Sequence, residues 1–167
     1  MEFLKKIIHV LSNICYLLIA IYILIIAPKL FGYNPIVVLS GSMRPKYDVG
    51  TIIYYKQASK EEIKVGDVVT FMLNEKQVVT HRINRIIDTK YETKGDANKT
   101  ADVNLIEFKN ILGKVATVTI PYLGYLITII ERNMYLVLVV ILVLVLEFVI
   151  TNFSIEKKKG VNYEKEK

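Results

Sequence analysis

The sequence predicts a mostly β domain flanked by two transmembrane helices. Hydrophobic residues make up 53% of the 167 residues although 23% are charged, which fits a charged domain joined to long apolar runs. Two such runs lie near the ends of the chain, and short segments rich in β-branched and aromatic residues recur between them. The only cysteine, Cys15, lies in the first run, so no internal disulfide can hold the domain together.

The first apolar run, residues 7–27, predicts a transmembrane helix. Its 21 residues carry no formal charge, and at about 1.5 Å per residue they cover roughly 30 Å, the thickness of a bilayer's hydrocarbon core. A cleaved secretory signal also begins with positive charge and an apolar core. This run is longer than a usual signal core and ends at Pro28 without a small-residue cleavage site. We therefore expect residues 1–27 to form a cytoplasmic stub and an uncleaved anchor.

The second span is predicted over residues 134–153, which are rich in Leu and Val. Glu147 interrupts it, and a charge near the middle of a bilayer costs about 2.5–3.5 kcal/mol. The sequence offers no second formal charge inside the spans to pair with Glu147. We expect its carboxylate to reach the interface at the nearby end of the helix.

Lysines flanking the two spans predict the topology. Lys5 and Lys6 precede the first span, and residues 157–159 are three lysines after the second. The positive-inside rule places both termini in the cytoplasm, including the tail 154–167, and residues 28–133 outside the cell membrane. The outer segment carries 15 Lys and Arg against 11 Asp and Glu with the signs interspersed, which argues against a nucleic-acid partner.

Residues 28–133 predict a small closed or sandwiched β-domain. Ser59 is expected to cap a single helical turn over residues 59–64, and residues 74–76 predict a hairpin loop. The apolar segment 120–130 is expected at the membrane interface just before the second span. The six predicted strands are 35–39, 51–55, 67–73, 77–87, 91–94 and 114–120.

Three short segments could carry chemistry. In SGSMRP, residues 40–45, glycine allows a tight bend after an apolar strand, so that Ser42 is presented at the strand's end. In VTHRI, residues 79–83, the neutral imidazole of His81 could deprotonate a serine near pH 7. KGDANKTAD, residues 94–102, reads as a loop whose carboxylates, Asp96 and Asp102, could orient a histidine.

Each segment also has a purely structural interpretation. Serines flank glycine in many turns, a histidine on a strand is commonly a core or surface residue, and Gly, Asn and Asp are ordinary loop residues. As a metal site the loop is too sparse for calcium, and it lacks the closing glutamate of a calcium loop. No metal or cofactor is expected.

In their order and spacing, SGSMRP, VGDVVTF, VTHRI and KGDANKTAD resemble the boxes of type I signal peptidases. The resemblance covers residues 37–124 and is to the branch with a histidine base, found in the endoplasmic reticulum, archaea and some Gram-positive bacteria. It implies the mostly β signal-peptidase fold. It also implies a serine endopeptidase that cleaves signal peptides from exported preproteins, after small residues, at the surface of the lipid bilayer.

The resemblance also implies roles for five residues. Ser42 is the nucleophile and His81 the general base. From the residues alone either Asp96 or Asp102 could reach His81; the resemblance gives the orienting role to Asp102 and leaves Asp96 as a supporting residue. The hydroxyl of Ser40 would help to hold the oxyanion.

Two alternatives and the question of partner subunits remain open. A two-anchor scaffold or binding protein without catalysis would explain the spans and the strands, but not the order of the boxes. A serine protease with another substrate is the second alternative, and a sortase is excluded because Cys15 lies in the membrane span. Nothing in the sequence identifies a partner subunit.

Overall fold

The computed structural model describes residues 2–75 and 77–165, with side chains described up to residue 152. The chain divides into a helical unit, Met1–Leu24 with Ile129–Lys167, and a β unit, Ile25–Thr128. The mostly β prediction for the middle of the chain is confirmed, because the described residues of the β unit include seven antiparallel strands. The strands are β1 Tyr33–Val37, β2 Ile52–Lys56, β3 Val68–Asn74, β4 Gln77–Ile87, β5 Lys90–Lys94, β6 Ile106–Glu107 and β7 Ile111–Ile120.

The seven strands form one sheet, in the order β1-β2-β7-β3-β4-β5-β6. The sequence predicted a closed or sandwiched domain, but among the described residues β1 and β6 are the two edges of this single sheet. Four of its strand pairs contain register shifts, which bend and twist a sheet locally. The bending brings the turn that follows β1 into contact with β4, although three strands lie between them.

Buried side chains lie on both faces of the central strand β3. Val69 and Phe71 belong to one hydrophobic cluster, together with Ile83 of β4. Val68, which points to the opposite face, belongs to a second cluster with Met43. β3 is therefore buried on both faces over its first four residues, whereas in the neighbouring β4 only His81 and Ile83 are buried.

The connections between strands differ in how well the sequence predicted them. The hairpin loop after Asn74 is present, although Lys76 lies outside the described residues. The turn capped by Ser59 is a 3-10 turn, Lys60–Glu62, in which Glu62 accepts a hydrogen bond from the backbone N–H of Ser59. β6 and a second 3-10 turn, Phe108–Asn110, were not predicted.

Most of the apolar segment 120–130 belongs to a helix, α2, Leu123–Arg132, which the sequence did not predict. Its first turn packs on the β1–β2 connection, where the N–H of Gly124 donates to the carbonyl of Gly50. A Cβ atom on Gly124 would lie 2.6 Å from that carbonyl oxygen. Only glycine therefore allows this close approach.

Among the described residues, the helical unit contains two helices that are long and apolar enough to cross a membrane. They are α1, Glu2–Ile26, and α3, Met134–Lys165, whose apolar part is Met134–Asn152. α1 covers most of the predicted span 7–27 and α3 covers the predicted span 134–153, and that these helices cross a membrane stays a prediction. α3 continues as a helix beyond the predicted span into the tail, and residues 166–167 lie outside the described residues.

Glu147 of α3 has partners on α1, although the spans contain no second formal charge to pair with it. Its Oε1 atom lies 3.2 Å from Nδ1 of His9, and its Oε2 atom accepts a hydrogen bond of 3.0 Å from the Tyr16 hydroxyl. Both partners are formally neutral, so a search for opposite charges does not find them. With the buried Ser12 they form a polar stripe at spacings of three and four residues, which share one face of a helix.

Candidate active site

Ser42 lies in a short turn between β1 and β2. After β1 the chain forms a single 3-10 turn, Gly41–Met43, whose last side chain is buried in the second hydrophobic cluster. The carbonyl of Ser42 accepts a hydrogen bond of 2.8 Å from the backbone N–H of Ala97. Contacts on two sides therefore fix the backbone that carries the Ser42 hydroxyl.

His81 lies on β4, opposite Val69 of β3, and is 8% exposed. Its Nε2 atom lies 3.1 Å from Oγ of Ser42, and its Nδ1 atom lies 2.7 Å from Oδ2 of Asp102. Because an ionised carboxylate only accepts hydrogen bonds, Nδ1 carries the proton and donates it to Asp102. Nε2 is then the free acceptor that faces the Ser42 hydroxyl.

Asp102 is held by Thr93 of β5 as well as by His81. The Thr93 hydroxyl donates to Oδ2 of Asp102 over 2.6 Å, and the Thr93 carbonyl accepts the Asp102 N–H over 2.8 Å. One oxygen of Asp102 therefore accepts two hydrogen bonds from buried side chains, and its backbone is tied to β5.

Gly95 allows the loop before Asp102 to lie directly on the Ser42 turn. A Cβ atom at this position would lie 2.6 Å from the carbonyl oxygen of Ser42 and 2.9 Å from Nδ2 of Asn98. The first contact is with backbone, which cannot give way cheaply. Gly95 therefore sets the distance between the Ser42 turn and the loop that carries Asp102.

Asp96 forms a bidentate ion pair with Arg82 and is not hydrogen-bonded to His81. Its two carboxylate oxygens accept hydrogen bonds from Nε and Nη2 of Arg82, at 2.8 and 2.6 Å. The hydrogen bonds that Arg82 donates to Asp96 raise the pKa of the Arg82 guanidinium above its ordinary value. Nη1 of Arg82 also donates to the carbonyl of Gly66. Asp96 therefore connects its loop to the sheet beside the site. Its carboxylate binds Arg82, whereas that of Asp102 binds His81.

Ser40 completes the group of predicted residues that the structure brings together. Its Oγ atom lies 3.2 Å from Oγ of Ser42. The structure thus places Ser40, Ser42, His81 and Asp102 in one connected cluster, with Asp96 outside it.

A cleft of about 1230 Å³ opens beside this cluster. Residues 36–40, at the end of β1, form one wall, and residues 77–81 of β4 form the other. β1 is an edge strand, and residues 77–81 have only β3 as a partner because the β4–β5 ladder begins at Arg82. Among the described residues, each wall therefore presents a backbone edge without a ladder partner. The floor and walls include the apolar side chains of Ile36, Val38, Ile53, Phe71 and Val79.

Sequence reasoning missed two residues that shape the site. Thr93 lies in a predicted strand, where threonine is common and gives no signal of a polar contact. Arg82 follows His81 directly, so its side chain points to the opposite face of β4. The only signal in the sequence was a basic residue next to His81 together with two carboxylates in the loop. This pattern indicates that one of the two carboxylates forms an ion pair with the basic residue.

Comparison with known proteins identifies similar chains. Residues 10–98 match the family described as signal peptidase, peptidase S26. Signal peptidase I W of Bacillus subtilis is 33% identical over 128 residues, which cover 66% of this chain and 67% of the relative. The signal peptidase complex catalytic subunit SEC11 of Ogataea parapolymorpha is 33% identical over 123 residues, which cover 60% and 69%. SEC11C of Homo sapiens is 31% identical over 111 residues, which cover 59% and 57%.

Proposed function

Because the chain belongs to the signal peptidase family, peptidase S26, we propose that Ser42, His81 and Asp102 form the triad with which it cleaves signal peptides. The protein is a serine peptidase that acts on preproteins bearing a signal peptide. The observation that supports the roles most directly is the connected geometry at His81. Its Nε2 faces the Ser42 hydroxyl at 3.1 Å while its Nδ1 donates to Asp102 at 2.7 Å.

The chemistry follows from this arrangement. His81 accepts the proton of Ser42 as Oγ attacks the carbonyl carbon of the scissile bond, and then gives that proton to the leaving amine. Asp102 keeps the proton of the neutral imidazole on Nδ1 and stabilises the imidazolium that forms. The mature protein leaves with this amine, and the signal peptide stays bound to Ser42 as the acyl-enzyme. His81 then deprotonates a water molecule, which hydrolyses the acyl-enzyme and releases the signal peptide.

The developing oxyanion is stabilised by the backbone N–H of Ser42 together with the hydroxyl of Ser40. The position of Ser40, 3.2 Å from the attacking oxygen, supports this role because the oxyanion forms next to that oxygen. Removing one donor of this kind typically lowers the rate by about 10²–10³.

The substrate binds as an extended strand between the two walls of the cleft. Residues 36–40 and 77–81 each offer unpaired backbone groups, so an inserted peptide gains main-chain hydrogen bonds by strand addition. The apolar side chains beneath it form shallow pockets. These accept small residues just before the cleaved bond.

The apolar helices hold the enzyme in the bilayer. α1 and the apolar part of α3 cross the membrane, both termini are cytoplasmic, and residues 28–133 are extracytoplasmic. The segment 120–130 lies at the membrane interface, close to a substrate whose apolar core is still in the bilayer. The SEC11 relatives are named as catalytic subunits of a signal peptidase complex.

One assay tests the proposed function. The purified full-length protein is incubated in proteoliposomes with a presecretory substrate, beside a Ser42→Ala control. We expect cleavage only with the unchanged protein, at the carboxyl side of a small residue. Absence of cleavage with a panel of presecretory substrates would favour the two-anchor scaffold.

A further inference from the structure

Thr93 makes two hydrogen bonds to Asp102, and the mechanism described above uses neither of them. The side chain of Thr93 lies on β5 and is fully buried. Its hydroxyl donates to Oδ2 of Asp102 over 2.6 Å, a short distance that is typical of charge-assisted O–H···O⁻ bonds. The same oxygen accepts the bond from His81 over 2.7 Å. Thr93 therefore contacts the orienting carboxylate directly, without contacting Ser42 or His81 by a hydrogen bond in this structure.

We propose that Thr93 is a positioning residue that fixes the carboxylate plane of Asp102 so that it stays aligned with His81. This inference rests on the proposed function, in which Asp102 orients His81. The terminal torsion of an aspartate is soft, so a single hydrogen bond from His81 leaves the carboxylate free to rotate toward solvent. The Asp102 side chain is 27% exposed, so water can compete for it. The second donor on the same oxygen opposes that rotation.

The fold explains why a threonine occupies this place. The β4–β5 ladder sets Thr93 opposite Ile83, two residues from His81 on the same face of β4. A β-branched side chain on a strand has few χ1 rotamers, so the hydroxyl of Thr93 is held in a fixed direction. Valine has nearly the same shape and carries a methyl group where threonine has its hydroxyl, so Thr93→Val removes the hydrogen bond with little change in volume.

The main measurement compares Thr93→Val with Thr93→Ser in the full-length enzyme. Loss of the hydroxyl in Thr93→Val should lower kcat by about 10- to 100-fold, as expected for one hydrogen bond to a charged group, and leave KM within about twofold. Thr93→Ser keeps the hydroxyl and should retain kcat within a few-fold. A structural defect alone would not be rescued by a serine, which fills less space than valine.

Thr70→Val is the matched control. Thr70 is also fully buried, on β3, and its hydroxyl is bonded to that of Thr80 at 3.0 Å. It contacts none of the triad residues through a hydrogen bond. We expect Thr70→Val to lower the melting temperature by about as much as Thr93→Val and to leave kcat near that of the unchanged enzyme.

A double-mutant cycle with Asp102→Asn separates positioning from general damage. If Thr93 acts through the carboxylate, Thr93→Val should lower the single-turnover rate by less than about threefold once Asp102 is an asparagine. Equal losses in both backgrounds, or an unchanged kcat in Thr93→Val, would overturn the inference. An active Ser42→Ala would instead overturn the proposed function, so the two failures are distinguishable.

Discussion

Nδ1 of His81 and Oδ2 of Asp102 lie 2.7 Å apart although the two residues are 21 positions apart in the chain. β4 supplies the imidazole, and the loop after β5 supplies the carboxylate. That loop is held by Gly95 against the Ser42 turn and by Asp96 against Arg82. The distance between imidazole and carboxylate thus depends on several contacts that have no chemical role themselves, which is the kind of support a preorganised site requires.

Ser42→Ala should abolish cleavage while the protein still folds, because only the Oγ atom is lost. Ser40→Ala should lower kcat by less, up to about 10²–10³, because the backbone N–H of Ser42 remains as an oxyanion donor. Both variants are assayed on a presecretory substrate in a preparation free of host peptidase. A loss in Ser40→Ala equal to that in Ser42→Ala would point to Ser40 as the nucleophile.

Asp102→Asn should keep the fold and lower turnover by up to about 10⁴, the effect of an amide that favours the wrong histidine tautomer. Asp96→Asn should change turnover far less but lower the stability by about 1–3 kcal/mol, because it breaks the bidentate pair with Arg82. Turnover and melting temperature are measured for both variants. A well-folded but inactive Asp96→Asn enzyme would reverse the two assignments.

The sequence predicted most of the strands and named the residues that now lie together, but it left two aspartates as alternatives. The reason is geometric. Asp96 and Asp102 lie in one loop, while His81 and Arg82 point to opposite faces of one strand, so either carboxylate could pair with either side chain until the path of the loop is known. Local patterns do not contain that path.

Other features of the structure were missed because the sequence gives only a weak signal for them. α2 lies in an apolar run whose periodicity does not separate a helix from a strand. β6 has two residues and is defined only by its pairing with Tyr91 and Lys90 of β5. The contacts of Glu147 were missed because only formal charges were considered, whereas histidine and tyrosine donate hydrogen bonds without one.

The topology can be tested with protease. Added to sealed, right-side-out vesicles that contain the full-length protein, it should digest residues 28–133 and spare epitope tags at both termini. Vesicles opened with detergent are the control in which all segments become accessible. Digestion of the terminal tags in sealed vesicles, with the middle segment protected, would invert the proposed orientation.

Acid pH should destabilise the β unit through Glu92. Hydrogen bonds from Arg85 and Asn84 hold the pKa of this carboxyl below its ordinary value of 4.5. A depressed pKa in the folded state means that the stabilisation is fully present above about pH 4.5 and is lost as the pH falls through the folded-state pKa. Melting temperatures between pH 7 and pH 3 should therefore fall fastest below about pH 4.5.

Two variants test whether Glu92 causes this fall in melting temperature at acid pH. Glu92→Gln and Arg85→Gln should both melt below the unchanged protein at pH 7, and the difference should shrink toward pH 3. The decrease in melting temperature in the double variant should be smaller than the sum of the two single decreases, because both substitutions remove the same ion pair. Additive losses, or a difference that stays constant with pH, would contradict the assignment.

The last prediction concerns Glu147, which links α3 to α1 through His9 and Tyr16. Hydrogen bonds between transmembrane helices contribute about 0.6–1.7 kcal/mol in double-mutant cycles. Glu147→Leu should therefore lower the thermal stability of the detergent-solubilised protein, even though leucine is the more favourable residue in a bilayer. Tyr16→Phe should lower the thermal stability by nearly the same amount. The double variant should be only slightly less stable than either single variant. Tyr22→Phe, on the same helix but six residues further along, is the matched control and should be additive with Glu147→Leu. If Tyr16→Phe is just as additive, the hydrogen bond to Glu147 does not stabilise the helix pair, and the carboxylate is better explained as reaching the membrane interface alone.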